Sequence, residues 1–357
     1  MLFTGSVSVM PVSPAAYAAA EDDVLQALKW TERNGEITIT GYTKDLPQEL
    51  VIPAEIEGKP VTALGAYAFA ETPITSVVIP EGVRVIESNV FTFCTKLADV
   101  SLPASIEKIG QNVFSSTKWL QHHPYNVDDL YIVEQNILIK ADILRFEFGS
   151  KAVIPDGIRY IAGGAFESCE FSSVTIPDSV KGLGDNAFDN CTQLLTVTVP
   201  EGVTEIGAQA FWICRKLEKL TILNPACVLY DAADTVSIGR ENTFPGVIAG
   251  YEGSEAQVYA KKYNREFESL GEAPAPLPGD LNGDGKGSVD DAQNALRAYT
   301  NLVAHKPSGL AAYRTKAADT DGDGQITVSD AQYILQYYTM QLAGKAVTWE
   351  QLIRKTE

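Results

Sequence analysis

Histidine, cysteine and basic residues are all scarce in this chain of 357 residues, and each scarcity excludes a class of function. Of three histidines, His122 and His123 are neighbours and His305 stands alone. Imidazole suits metal and acid–base roles. Adjacent residues on an extended segment point in opposite directions, however, and no Cys or carboxylate constellation accompanies the pair, so it reads as surface. The five cysteines show no C-x-x-C or Cys/His metal spacing. Neither a G-x-S-x-G elbow nor a phosphate-binding loop is present, which leaves nucleophilic and phosphoryl-transfer chemistry without a foothold. Lysine and arginine number 28 against 46 acidic residues, giving a formal charge of −18. They form no basic stripe, which argues against a nucleic-acid partner. No run of about 20 apolar residues suggests a membrane span.

What is present is an ordinary globular composition, 45% hydrophobic and 21% charged, in a chain long enough for two or more domains. Residues 1–20 hold a moderately apolar stretch ending in AYAAA, which reads as the h-region and cleavage site of a secretory signal lacking its basic n-region. A disordered Ala/Ser-rich leader is the alternative. Residues 21–270 form the first domain. Val24, Leu25, Leu28 and Trp30 predict a weak helical opening, and EITITGY a first strand. Then ITSVVIPEGVRVIESNVFTFCTKL, FSSVTIPDSVKGLGDNAFDNCTQL and LLTVTVPEGVTEIGAQAFWICRKL share one template. Phenylalanines 69, 91 and 114, then 166, 188 and 211, recur every 22 or 23 residues, and Pro80, Pro103, Pro155, Pro177 and Pro200 keep step.

That period belongs to leucine-rich repeats. Val77 and Ile79, Val100 and Leu102, Val174 and Ile176, and Val197 and Val199 alternate inward on short parallel strands. Proline ends each strand because it cannot donate to the next rung. An irregular or short helical return then carries a Phe into the core, and each repeat hides its apolar face on its neighbour. The consensus of strand-Ile-Pro, then V-x-x-I-x-x-x-A-F-x-x-C, resembles BspA-like leucine-rich repeats over about residues 40–225. Residues 115–150 break the period with two strand-like runs, YIVEQ and ILIKA, and resemble an insertion seen in such proteins. Residues 246–270 read as a last strand and short helix covering the exposed edge.

Cys94, Cys169, Cys191 and Cys214 each stand three residues after a repeat Phe, so they read as a core ladder of small hydrophobes; Cys227 lies outside the pattern and its state is open. The outward strand positions are Ser76, Val78, Asp99, Ser101, Lys151, Val153, Ser173, Thr175, Thr196, Thr198, Lys219 and Thr221. They lack an aromatic platform for sugars and suit a pleated sheet whatever binds it.

The most informative stretch is written twice. Residues 280–291, DLNGDGKGSVDD, and 319–330, DTDGDGQITVSD, place oxygen side chains at positions 1, 3 and 5, glycine at 6 and a carboxylate at 12. Each runs on into a similar segment, DAQNALRAYT or DAQYILQYYT, and Asp280 and Asp319 lie 39 residues apart. That is the spacing of an EF-hand calcium loop, with Gly285 and Gly324 at the sharp turn. Asp280, Asn282, Asp284 and Asp291 supply side-chain oxygens in the first loop, Lys286 its carbonyl, and Ser288 a direct or water-mediated contact. Asp319, Asp321, Asp323 and Asp330 do so in the second, with the Gln325 carbonyl and Thr327. Two Ca²⁺ ions are therefore expected, the second loop binding more tightly because it has four carboxylates against three.

The duplicated pair, over about residues 279–342, resembles a type I-like dockerin. The resemblance implies a scaffoldin cohesin as partner. It implies contacts from Val289, Asp290, Leu296, Arg297 and Asn301 in the first half, and from Val328, Ser329, Leu335, Gln336 and Met340 in the second. Asp at position 12, where a sensor EF-hand carries Glu, fits the dockerin pattern. Gly287 at position 8 departs from it: the counterpart Ile326 normally pairs the loops through a short β-bridge, and glycine should loosen the first loop. Residues 271–278 form a Pro-rich, semi-rigid linker, residues 279–345 the dockerin, and residues 346–357 a tail that folds back with Trp349 near Pro276 or Pro278.

The sequence thus predicts an α+β, multi-domain protein: a leucine-rich-repeat solenoid of short parallel strands, then a small all-α dockerin of two calcium loop–helix motifs. Its expected role is that of a secreted, non-catalytic cellulosome subunit, held at the cell surface through the scaffoldin, with an unknown protein or glycan ligand for the repeats. The alternatives are a carbohydrate-active enzyme or inhibitor with its site in the 115–150 insertion, or a carbohydrate-binding adhesin. Two convergent carboxylates in a cleft would mark the enzyme, and aromatics gathered on one face the adhesin.

Overall fold

A computed structural model of the chain describes residues 24–124, 131–142, 144, 146–237 and 243–353. The expected signal segment, parts of the 115–150 insertion and the last four residues of the tail lie outside the described residues. The chain divides into two compact units, Met1–Pro124 and Tyr125–Glu357.

The first unit opens on an antiparallel pair, Leu28–Arg33 with Glu36–Tyr42. Only residues 24–27 are helical, so Leu28 and Trp30 sit on a strand rather than on the expected helix. The cause is local: Asn34 and Gly35, at φ 55° and 81°, form the two-residue turn whose twist suits a hairpin. Glu36–Tyr42 then pairs in parallel with Lys59–Leu64, which continues through Val85–Ile86 to Lys108–Ile109. Glu49–Val51, Ser76–Val78 and Asp99–Ser101 form a second parallel sheet. Val100 and Leu102 are only half-buried, because their strand is the last of that sheet.

The second unit repeats the plan. Ile137–Ala141, Tyr160–Ile161, Gly182–Leu183, Glu205–Ile206 and Val228–Leu229 stack in parallel on one side. Lys151–Val153, Ser173–Thr175, Thr196–Val199, Lys219–Ile222, Val247–Glu252 and Glu266–Glu272 stack on the other. Each repeat therefore returns through a second, two-residue strand and not through a helix, since the V-x-x-I step buries its Ile on the neighbouring rung. The outward column is in strict register, Lys151–Ser173–Thr196–Lys219 and Val153–Thr175–Thr198–Thr221.

Between the sheets runs the aromatic ladder. Phe69, Phe91 and Phe114 stack at centroid spacings of 5.6 and 5.8 Å, and Phe166, Phe188 and Phe211 at 5.1 and 5.4 Å, all near-parallel. Beside it, the thiols of Cys94, Cys191 and Cys214 donate to the carbonyls of Phe69, Phe166 and Phe188 on the preceding rung, at 3.1, 3.1 and 3.2 Å. A cysteine here packs as a hydrophobe and also satisfies a buried carbonyl. All five cysteines, Cys227 included, are buried and free. Burial pushes the Cys169 thiol up to about 12 and the Cys227 thiol higher still, so neither is a nucleophile.

One position breaks this order. Asp189 is buried with Oδ1 lacking any hydrogen-bond partner; burial, and then Glu167 on the preceding rung, raise its pKa to about 6. A folded-state value above the unfolded one means that its stabilising contribution holds at low pH and is lost as pH rises through about 6. Asp189→Asn should therefore raise thermal stability near pH 7.5 by on the order of 2 kcal/mol, a gain that shrinks toward pH 4. Thermal unfolding at several pH values checks this; a gain independent of pH would contradict it. Phe188→Ala, which opens the ladder in its middle, should cost roughly 3–5 kcal/mol in denaturant unfolding.

A doubled acidic loop as the candidate functional site

The short helix Lys118–His122 (α1), capped by Thr117, carries His122, so that histidine is not on an extended segment. His122 Nδ1 contacts the Lys118 carbonyl and His123 Nδ1 the Pro124 carbonyl. Among the described residues no metal-sized cluster includes either histidine.

The acidic loops fold by one plan. In the first, Asp280 accepts the N–H groups of Gly283 at 2.7 Å and Asp284 at 3.1 Å on Oδ1, and that of Gly285 at 2.8 Å on Oδ2. In the second, Asp319 Oδ2 accepts Gly324 N–H at 2.9 Å. Gly285 and Gly324 have φ of 87° and 84°, a conformation that glycine adopts without strain. Asn282 and Asp284, like Asp321 and Asp323, each take the N–H two residues on. Burial raises the Asp280 carboxyl to about 6, against the opposing hydrogen bond from Gly285.

Position 12 ties each loop to its helix. Asp291 Oδ1 accepts Leu281 and Asn282 N–H groups, and Oδ2 accepts Ser288 N–H and Oγ–H. Asp330 does the same with Thr320 and Thr327. Both are capping boxes on helices of 15 residues, Val289–Val303 (α3) and Val328–Leu342 (α5), where a carboxylate is favoured by the orphan N–H groups. Glu255–Lys262 (α2) precedes them, and Ala312–Ala318 (α4) lies between them. Leu281, Ala292, Ala295, Ala298, Ile326 and Ile334 form the core of the pair.

The loops differ in what they leave open. Asp319, Asp321 and Asp323 each offer one oxygen, all within 4.8 Å of one another, and Asp319 Oδ1 is buried without a hydrogen-bond partner. An orphaned buried carboxylate oxygen facing two more carboxylates fits a hard cation. In the first loop both Asp280 oxygens are taken by backbone, and Asn282 stands where the second has Asp321. In both loops the position-12 Asp turns Oδ2 to the helix cap, while Oδ1 accepts backbone N–H groups from within the loop.

The tail folds back, with Tyr337 and Gly279 as the contacts of Trp349. Trp349, on Trp349–Ile353 (α6), stacks on Tyr337 at 4.4 Å and 13°, and a Cβ on Gly279 would fall 2.5 Å from its ring. Gly279, the neighbour of Pro278, makes room for it. Gly287 forms no bridge with Ile326 among the described residues; a Cβ there would meet the Gly279 carbonyl, Tyr337 and Trp349 at 3.4–3.7 Å. The tail thus covers the place that a larger position-8 side chain would fill.

Of the expected partner contacts, Val289, Asp290, Leu296, Arg297, Val328, Ser329, Leu335 and Gln336 are exposed, and Met340 is half-buried. Asn301 spends its amide on the Ser308 carbonyl at 3.2 Å. The apolar line also continues to Val303 and Leu342, which the sequence reading missed. Val289, Leu296 and Val303 are 40%, 37% and 60% exposed, and Val328, Leu335 and Leu342 39%, 37% and 70%. A step of seven residues returns to nearly the same helix face, a signal that could have revealed both.

Elsewhere, a cleft of about 480 Å³ beside α2 is lined by Val258, Lys261, Arg265 and Phe267, without a carboxylate. A second, about 310 Å³, includes Glu252, Glu272 and Lys316; both carboxylates are exposed, and Glu252 accepts from Ser269. Exposed Tyr67, Phe93, Phe148 and Tyr230 all fall off the outward column.

Comparison with known proteins agrees with the stacked sheets. Residues 54–140 and 148–232 match the BspA type leucine-rich repeat region, in six copies, and this part of the chain is a repeat region of that type. A leucine-rich repeat protein of T. pallidum is 22% identical, over 68% of this chain and 95% of its own, with a TM-score of 0.30. A leucine-rich cell surface protein of Faecalibacterium prausnitzii is 18% identical over 70% and 97%, at 0.34. A leucine-rich repeat protein from Bacteroides ovatus is 19% identical over 70% and 78%, at 0.27. No curated protein matches the chain. Among the described residues no helix is long and apolar enough to cross a membrane.

Trp349→Ala should destabilise the helical module, by on the order of 2 kcal/mol since the ring is only partly buried, and so lower its melting temperature. Near-ultraviolet circular dichroism follows it through the Tyr337–Trp349 stack; an unchanged melting curve would show that the tail is not part of the fold.

Proposed function

We propose that residues 279–345 are a calcium-ordered dockerin-type module that seats on a scaffoldin cohesin. It tethers an exported, non-catalytic leucine-rich-repeat domain with a protein-interaction or adhesion role. The observation that carries this reading is the second loop: three carboxylates converge and one buried oxygen of Asp319 has no protein partner, in a loop whose turn glycine and helix cap are repeated in the first. A bound calcium ion would neutralise the converging negative charge. Asp291 and Asp330 hold the helix N-termini through their capping boxes, so ordering a loop also fixes the helix that follows it. Those helices carry the exposed apolar lines, with Asp290, Arg297, Ser329 and Gln336 at the edges, an apolar centre with a polar rim.

Isothermal calorimetry on the full chain should find two calcium sites, with Asp319→Ala removing the tighter and Asp280→Ala the weaker. The reverse order would overturn the assignment of affinities, and no uptake would overturn the calcium reading. Against an immobilised panel of cohesins, Leu296→Asp combined with Leu335→Asp should abolish binding, a loss of at least about 100-fold. Undiminished binding by the double variant would refute the interface.

A further inference from the structure

Within the second unit, the helical module is fastened to the end of the repeats by contacts centred on one largely shielded ion pair. Glu255, the first residue of α2, accepts from Arg314 Nη1 on α4 at 3.1 Å, with the two side chains only 13% and 11% exposed. The same carboxylate oxygen faces the Ala311 N–H at 3.5 Å, and Arg314 Nε donates to the Leu281 carbonyl at 3.0 Å. Arg314 therefore joins three elements: the cap helix of the repeats, the helix between the two loops, and the second residue of the first loop. Nearby, Tyr313 N–H donates to the Gly253 carbonyl at 3.1 Å, and a Cβ on Gly253 would lie 3.2 Å from Ala312 Cβ.

A second set of contacts comes from the last repeats. Asn224 Nδ2 donates to the Val203 carbonyl at 2.9 Å and lies 3.5 Å from the Asn282 carbonyl, while its Oδ1 accepts from Ala226 N–H. A Cβ on Gly283 would fall 2.5 Å from that Oδ1, so the loop backbone reaches the repeats only because glycine stands there. Residues 281–283 of the first loop are thus held from two directions by groups belonging to the repeat domain and its cap.

We infer that the helical module is docked on the terminal cap of the repeat array, and that ordering the first loop and protecting that cap are one coupled event. The strand and helix that cover the open end of the array are themselves the last elements of the repeat domain, and the module braces them. The ion pair is largely withdrawn from water, so breaking one partner leaves an uncompensated buried charge, unlike a surface pair. The Pro-rich segment then measures a fixed separation instead of a free swing. The first loop, which has fewer carboxylates than the second, draws its order from the repeats. The part of this inference that involves calcium rests on the reading of the loops given above.

Hydrogen–deuterium exchange on the full chain tests the coupling, with calcium uptake followed in parallel by calorimetry. In the wild type, calcium should slow exchange across Val247–Glu252 and α2 by about tenfold or more relative to EDTA. Arg314→Gln should lose that protection while uptake at the second loop persists. Glu255→Gln, which keeps an acceptor and lies outside the module, guards against simple misfolding of the module and should reduce the protection in the same direction. If calcium is taken up but exchange in the cap does not change, or if both variants keep the full protection, the coupling is wrong and the calcium reading stands. If no calcium is taken up, the calcium reading fails. The coupling is then decided by the variants alone: faster exchange in the cap than in wild type sustains it, and unchanged exchange overturns it.

Discussion

A rung of this fold cannot cover its own apolar face, and everything else in the structure follows from that constraint. Each repeat offers one Phe, one or two inward aliphatics and a small residue, and these are buried only when the next rung lies on top. Rings spaced 5.1–5.8 Å apart and thiols aimed at carbonyls of the preceding rung set a single register. The antiparallel hairpin Leu28–Arg33 and Glu36–Tyr42 pairs with one sheet of the first unit; in the second unit, Val247–Glu252, α2 and Glu266–Glu272 take the last places. The module beyond them is fastened to these last elements through Arg314 and Asn224.

Charge is managed by the same economy of partners. Asp291 and Asp330 are completely buried yet fully satisfied, each oxygen receiving two donors. The four donors around each replace the water that the carboxylate gives up on burial. Asp189 and Asp319 are the opposite case, each with an oxygen that no donor reaches. At Asp189 burial is compounded by repulsion from the Glu167 carboxylate, so the group is a cost. At Asp319 two further carboxylates converge, an arrangement that suits a divalent cation.

Much of the repeat fold was legible because the period is written in large residues. Phe and Pro at fixed intervals predict rung length, and the inward valines follow by alternation. The two-residue return strands were not legible, since Val85–Ile86 or Gly182–Leu183 are too short to show a period. The Asn34–Gly35 turn was written in the sequence, and its hairpin was missed because Val24, Leu25 and Leu28 imitate a helical spacing. In the loops, chain order predicts which oxygens lie near one another. It does not predict that position 12 turns to the helix cap, or that Trp349 takes the space beside Gly279 and Gly287, because those depend on packing between segments distant in sequence. The Glu255–Arg314 pair, 59 residues apart, left no local signal at all.

The claim on which the functional reading turns is that the doubled loop holds two cations, and native mass spectrometry of the full chain reads this directly. After exchange into calcium, the intact protein should retain two calcium ions, and a variant carrying Asn at 319, 321 and 323 should retain one. A wild-type spectrum with no retained calcium, or a variant that still carries two, would contradict it.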